Sequence, residues 1–197
     1  MEFLKKLTHY DIILASQSPR RSALLSGAGI PFRTMVRPIA EEFTEEMPPP
    51  EVVLQLSREK ANCFGNELLL PEVVIITADT IVVHQGRIIN KPRGAGDAFG
   101  MLSDLSGSSH EVYTGVCIRH QDREMAFYDH SWVSFRHLSE EEIRYYIAQY
   151  APYDKAGAYG IQEWIGYVGI TGISGSYHNV MGLPVHKVYS ALRELLA

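Results

Sequence analysis

The chain has 197 residues, 46% apolar and 21% charged, with a formal net charge of −5. That bounds one substantial core, or two lobes sharing a sheet, and residues 1–197 are read as a single domain of that kind. The acidic balance excludes a broad nucleic-acid surface, which needs a basic stripe. No apolar run reaches the ~20 residues of a membrane helix, and no leader pattern is seen, so a cytoplasmic protein is expected. Cys63 and Cys117 fit no metal spacing and are expected to be reduced, buried thiols.

In chain order, "YDIILAS" reads as a short strand leading directly into a helix. Ser18 is the expected N-cap and Pro19 the first helical residue, with Gly27 or Gly29 ending the helix. "FRTMVRPI" is a second strand, followed by an acidic loop, "AEEFTEEM". The prolines of "MPPP" open a helix of about 51–66. "EVVIITADTIVVHQGRIINKP" reads as strand, interruption, strand, turn at "HQGR", strand. A helix with glycine-rich edges, "GAGDAFGMLSDLSG", precedes two paired strands, "HEVYTGVCIRH" and "YDHSWVSFRHL". In "SEEEIRYYIAQY", Ser139 and Glu142 form a capping box, and Ile143, Tyr146, Ile147 and Tyr150 lie on one face. A glycine-rich region at 157–182 follows, then a terminal helix from about Pro184. The mixture predicts an α/β or α+β fold on a mixed sheet.

Several residues sit where stability alone does not put them. Arg20 and Arg21 occupy the first turn of a helix, whose N-terminus already carries partial positive charge, so an anion is expected there. Asp79 stands inside an apolar strand, either as a turn cap at a strand end or as a metal ligand or general base. Lys60 shares an apolar helical stripe with Val53, Leu56 and Cys63, and either snorkels to solvent or reaches a phosphate. Lys91 and Arg93 end a strand in "NKPR", a place where a lysine is most often simply solvated. The acidic loop is most often a wet surface, and His110 a structural hydrogen-bonding group. Together these residues make a parts list for a metal-bound polyphosphate, without the glycine-lysine pattern of a P-loop.

The stretches "LASQSPRRSALL", Glu41-Glu42, "LSREKA", "ITADTIVV", "NKPR", "SHEVYTGV", "YDKAGAYGIQ" and "GSYHNVMGLP" cover nearly the whole chain. In that order they resemble the Maf family of nucleoside triphosphate pyrophosphatases. The resemblance implies an inosine triphosphate pyrophosphatase-like fold: a long mixed sheet, flanking helices and a cleft between two lobes. It implies hydrolysis of a nucleoside triphosphate to the monophosphate and pyrophosphate with Mg²⁺ or Mn²⁺, and a homodimer. By motif, Asp79 matches the proton acceptor, and Arg20, Thr80 and Gln162 match positions of substrate choice. Ser16, Arg21, Glu42, Lys60 and Lys91 match the remaining phosphate- and metal-handling positions, with Glu41 an alternative to Glu42.

"DKAGAYGIQ" resembles the branch acting on dTTP and UTP rather than on 7-methyl-GTP. The Gln162 amide can accept from the N3–H of uracil or thymine and donate to a neighbouring carbonyl, which cytosine does not match. Arg21→Ala is expected to abolish turnover without unfolding the chain, and to relieve the free enzyme slightly. The alternative from another class is a non-catalytic, nucleotide-binding regulator of cell division. Cleanup of modified pyrimidine triphosphates is a second enzymatic reading.

Overall fold

The computed structural model describes residues 1–39, 42–44 and 46–197. A helix not foreseen from the sequence, α1 (Glu2–Leu7), precedes strand β1 (Asp11–Leu14), helix α2 (Pro19–Gly27) and strand β2 (Arg33–Thr34). Then come α3 (Pro49–Asn62), β3 (Val73–His84), β4 (Arg87–Ile89) and α4 (Ala95–Leu105). The long strands β5 (Ser109–His120) and β6 (Arg123–Phe135) lead to α5 (Glu140–Tyr150). The chain closes with α6 (Trp164–Gly169), β7 (Ile170–Ser174), α7 (Tyr177–Met181) and α8 (Val185–Leu195). The described strands form one seven-stranded mixed sheet, ordered β2-β1-β3-β5-β6-β7 with β4 on β3. β1 pairs in parallel with β2 and β3, whereas β3/β4 and β6/β7 are antiparallel. The expected α/β class with a mixed sheet and flanking helices is what the chain adopts.

Contacts group the chain into two units. The first comprises Met1–Asp79, Thr114–Asp129 and Gly182–Ala197. Its core joins Ile12 and Leu14 of β1, Val74 and Ile76 of β3 and Val116 of β5 to the buried stripe Val188, Ala191, Leu192 and Leu195 of α8. That spacing of three, one and three residues is one face of a helix. The second comprises Thr80–Tyr113 and His130–Met181. Its core gathers Leu102 and Leu105 of α4, Val133 and Phe135 of β6, and Ile143, Tyr146 and Ile147 of α5.

Local chemistry explains most boundaries. Ser18 and Pro19 start α2 as expected, and the capping box of Ser139 and Glu142 opens α5. Gln85 and Gly86, with φ of 50° and 75°, make the left-handed two-residue turn that joins β3 to β4. Four expectations change. The second strand shrinks to two residues, both exposed. α3 starts on Pro49, two residues before the expected Glu51, and ends at Asn62, with a separate 3₁₀ turn at Glu67–Leu69. β3 is one uninterrupted strand, because its polar residues find partners rather than breaking the pairing (see below). Tyr150 is exposed, although its ring stacks on that of buried Tyr146.

Candidate active site

In the first unit the site residues are set by how α3 lies on the sheet. Side chains of a strand alternate between faces, so Thr77 and Asp79 of β3 point the same way. On a helix, residues three apart share a face, which is the relation of Ser57 to Lys60. The two periods meet. Thr77 Oγ1 donates to Ser57 O at 2.6 Å, and two residues on Lys60 Nζ pairs with Asp79 Oδ1. Gly115 on β5 makes this approach possible, because a Cβ there would fall 2.2 Å from the carbonyl oxygen of Val53 on α3. Asp79 is thus buried, 8% exposed, and neutralised by a lysine that does not snorkel to solvent. A buried carboxylate needs such a partner.

The adjacent parallel strand delivers the arginines. Leu14 lies opposite Ile76, so the chain leaves β1 three residues before Asp79 on the neighbouring strand. Buried Ser16 then turns the chain: its Oγ accepts from Ser18 N and from Arg21 Nη1, both at 3.2 Å. Arg21 Nε donates to Gly182 O at 2.7 Å. Arg21 is therefore anchored by a carbonyl and a hydroxyl, and the first turn of α2 contains no acidic residue. Partly exposed Arg20 stands beside it. In open parallel sheets, such strand-to-helix turns at the carboxyl ends of strands are where ligands bind. Glu42 is exposed, and its backbone oxygen accepts from Gln55 Nε2 of α3 at 3.3 Å, which ties Glu42 to the helix that carries Lys60. Glu41 lies outside the described residues.

In the second unit, Thr80 follows Asp79 on β3 and is partly exposed, and Lys91 is exposed just past β4. Gln162 is partly exposed; its Nε2 donates to Glu163 Oε1 at 3.4 Å, and its Oε1 is buried with no hydrogen-bond partner among the described residues. Beside it is a network that sequence reasoning missed. Buried Lys155 reaches Asp154 Oδ1 at 2.7 Å and Glu163 Oε1 at 3.1 Å. The Tyr146 hydroxyl donates to Glu163 Oε2 and accepts from Gly160 N–H at 3.0 Å. Burial, reinforced by the Glu163 carboxylate, pushes the Tyr146 pKa up, so the phenol keeps its proton. The one available signal was a lysine inside an otherwise small and apolar stretch, "DKAGAYG".

The structure thus brings together Lys60 with Asp79 and Ser16 with Arg21. His110 takes the structural role expected of it. Its Nε2 and the Tyr159 hydroxyl share a hydrogen bond of 2.7 Å, its ring stacks on Phe135, and burial lowers its pKa to about 3. Cys117 is buried and its thiol is pushed up to about 12 by burial, then by the charge of Glu124. Cys63 is partly buried and both cysteines are free, in line with reduced thiols. No group of three His, Cys, Asp or Glu side chains forms a metal cage among the described residues. The Asp79 carboxylate and Glu42, whose backbone oxygen is held by α3, offer hard oxygen donors. They fit a hard divalent ion that completes its shell with phosphate oxygens and water, rather than one held by protein alone.

Residues 11–195 match the family model described as Maf-like protein. A dTTP/UTP pyrophosphatase of Porphyromonas gingivalis is 49% identical over 193 residues, covering 97% of each chain. A protein of the same name from Phocaeicola vulgatus is 49% identical over 193 residues, covering 98% of this chain and all of its own. A third, from Bacteroides thetaiotaomicron, is 47% identical with the same coverage. No helix among the described residues is long and apolar enough to cross a membrane. With its pieces in family order and nearly its whole length matched, the chain belongs to the Maf family.

Proposed function

We propose that this protein hydrolyses dTTP and UTP to the nucleoside monophosphate and pyrophosphate. The observation that carries the reading is the Lys60–Asp79 pair with its buried carboxylate, three residues beyond the level at which β1 ends before the arginine-bearing start of α2. A helix start without acidic residues, carrying two arginines, is built for phosphate. A buried carboxylate beside it can orient a water and take its proton as that water attacks the α-phosphorus. Arg21 and Lys60 then stabilise the negative charge that moves onto the departing pyrophosphate. From the second unit, the resemblance assigns Lys91 to the phosphates, and Thr80 and Gln162, with Arg20, to the choice of base. Ser16 keeps Arg21 in place.

Asp79 and Glu42 would hold Mg²⁺ or Mn²⁺, which when bound supplies charge neutralisation on the phosphate chain. The reading further takes residues 1–197 as one domain, the protein as cytoplasmic, and its active form as a homodimer. The relatives, all three named for an enzymatic activity, give no support to a non-catalytic regulator.

The test is product analysis over dTTP, UTP, CTP and 7-methyl-GTP with either metal. Pyrophosphate with dTMP or UMP is expected, with CTP and 7-methyl-GTP far slower. Preference for 7-methyl-GTP overturns the choice of base, and release of inorganic phosphate alone overturns the reaction.

A further inference from the structure

A glutamine amide presents an acceptor on one side and donors on the other, with nearly the same shape. It can discriminate uracil from cytosine only if something prevents it from turning over. We propose that Glu163 is a positioning residue that locks the Gln162 amide with its nitrogen toward the carboxylate and its oxygen reserved for a ring N–H. The inference rests on the pyrimidine-selective function proposed above.

The carboxylate is suited to this task because it only accepts. Its own orientation is fixed from two sides by groups that donate to it: Lys155 Nζ, 3.1 Å from Oε1, and the Tyr146 hydroxyl at Oε2. Tyr146 is in turn held by Gly160 N–H at 3.0 Å. Against this acceptor Gln162 places Nε2, at 3.4 Å from Oε1. Turning the amide over would set two oxygens face to face. The geometry depends on Gly160, since a Cβ there would lie 2.8 Å from Glu163 Cδ and 2.9 Å from Gln162 Nε2. The consequence is the orphaned, buried Gln162 Oε1, an acceptor lacking its donor. Leaving such an atom unpaired is unfavourable, and a base whose ring N–H displaces what covers it in the free protein recovers the loss. Uracil and thymine bring one at N3; cytosine brings a lone pair. The second hydrogen of Nε2 stays available for a ring carbonyl.

The experiment compares kcat/KM for UTP and CTP in the native protein, Glu163→Ala, Glu163→Gln and Gly160→Ala, each checked for folding by thermal melt. In Glu163→Ala the amide is free to turn, so the UTP:CTP ratio is expected to fall about tenfold or more, with CTP turnover held or raised. Equal loss for both nucleotides in a folded Glu163→Ala variant, with the ratio kept, is what a merely structural role would give, and that pattern overturns the proposal. Glu163→Gln keeps an acceptor oxygen against Lys155 and is expected to hold the ratio within about threefold of native. Should Glu163→Ala fail to fold, Gly160→Ala carries the test. Its backbone is outside the left-handed region and its Cβ meets side-chain ends rather than backbone, so the chain is expected to fold, with the Glu163–Gln162 contact pushed apart and the ratio lowered about threefold or more. An unchanged ratio in folded Glu163→Ala, or in Gly160→Ala in its place, overturns the inference alone. A native protein that turns over neither UTP nor dTTP overturns the proposed function and the inference with it.

Discussion

Gly115→Ala perturbs the proposed active site without touching it. The new methyl carbon would stand 2.2 Å from Val53 O and 2.4 Å from Val53 C, both backbone atoms of α3. Ordinary contact begins near 3.4 Å, so α3 must move off β5 by about 1.2 Å or β5 must buckle. Overpacking of this kind costs about 1–3 kcal/mol. The same movement carries Ser57 and Lys60 away from Thr77 and Asp79, since both helix residues face the strand (Thr77 to Ser57 O is 2.6 Å). A displacement near 1 Å in a catalytic constellation costs on the order of 10²-fold in rate. Urea unfolding gives the first number, and kcat/KM for dTTP under fully folded conditions gives the second. A folded variant with native kcat/KM would refute the claim that close packing of α3 on Gly115 sets the Lys60–Asp79 pair.

Arg21→Ala removes the donor to Gly182 O and one donor to Ser16, so it is expected to lower stability by about 1 kcal/mol rather than relieve strain, and to abolish pyrophosphate release. The two hydrogen bonds of the guanidinium weigh against the slight stabilisation that the helix dipole alone would give; a melting temperature above native would favour the dipole. His110, ordinarily near 6.5 and lowered to about 3 in the fold, stays neutral while the unfolded chain takes up a proton. Its stability contribution is complete above pH 6.5 and is lost as pH falls toward 3, so ΔG of unfolding should decline below pH 6.5, and His110→Phe should flatten that decline. Glu142 adds a separate acid limb. The Arg136 guanidinium and the Ser139 backbone hold its carboxyl at about 2 against an ordinary 4.5, so its contribution fades between those values. Ser139→Ala should cost about 1 kcal/mol in urea unfolding, with the UTP:CTP ratio unchanged.

What the sequence made legible was local. The capping box of α5, Ser18 and Pro19 at α2, and the Gln85-Gly86 turn each declare themselves within four residues. The arginines and Asp79 were legible as misfits, residues in places that ordinary stability disfavours. What stayed hidden depends on distant partners. An interruption was expected at Asp79 because nothing nearby in sequence neutralises it, yet Lys60, nineteen positions away, does so and the strand runs through. Edge strand β7 was missed because its burial pattern is nearly all exposed and carries no alternation. The Lys155–Glu163–Tyr146 network joins one residue of α5 to two positions in the loops that follow it, with no common spacing, so Tyr146 read only as core.

The most direct test of the central claim, that Asp79 directs water onto the α-phosphorus, is hydrolysis of dTTP in ¹⁸O-labelled water by native protein and Asp79→Asn. Label in dTMP from the native protein, with turnover lost in a variant that still melts cooperatively, is the expected result. Label in pyrophosphate, or native turnover in Asp79→Asn, would contradict it.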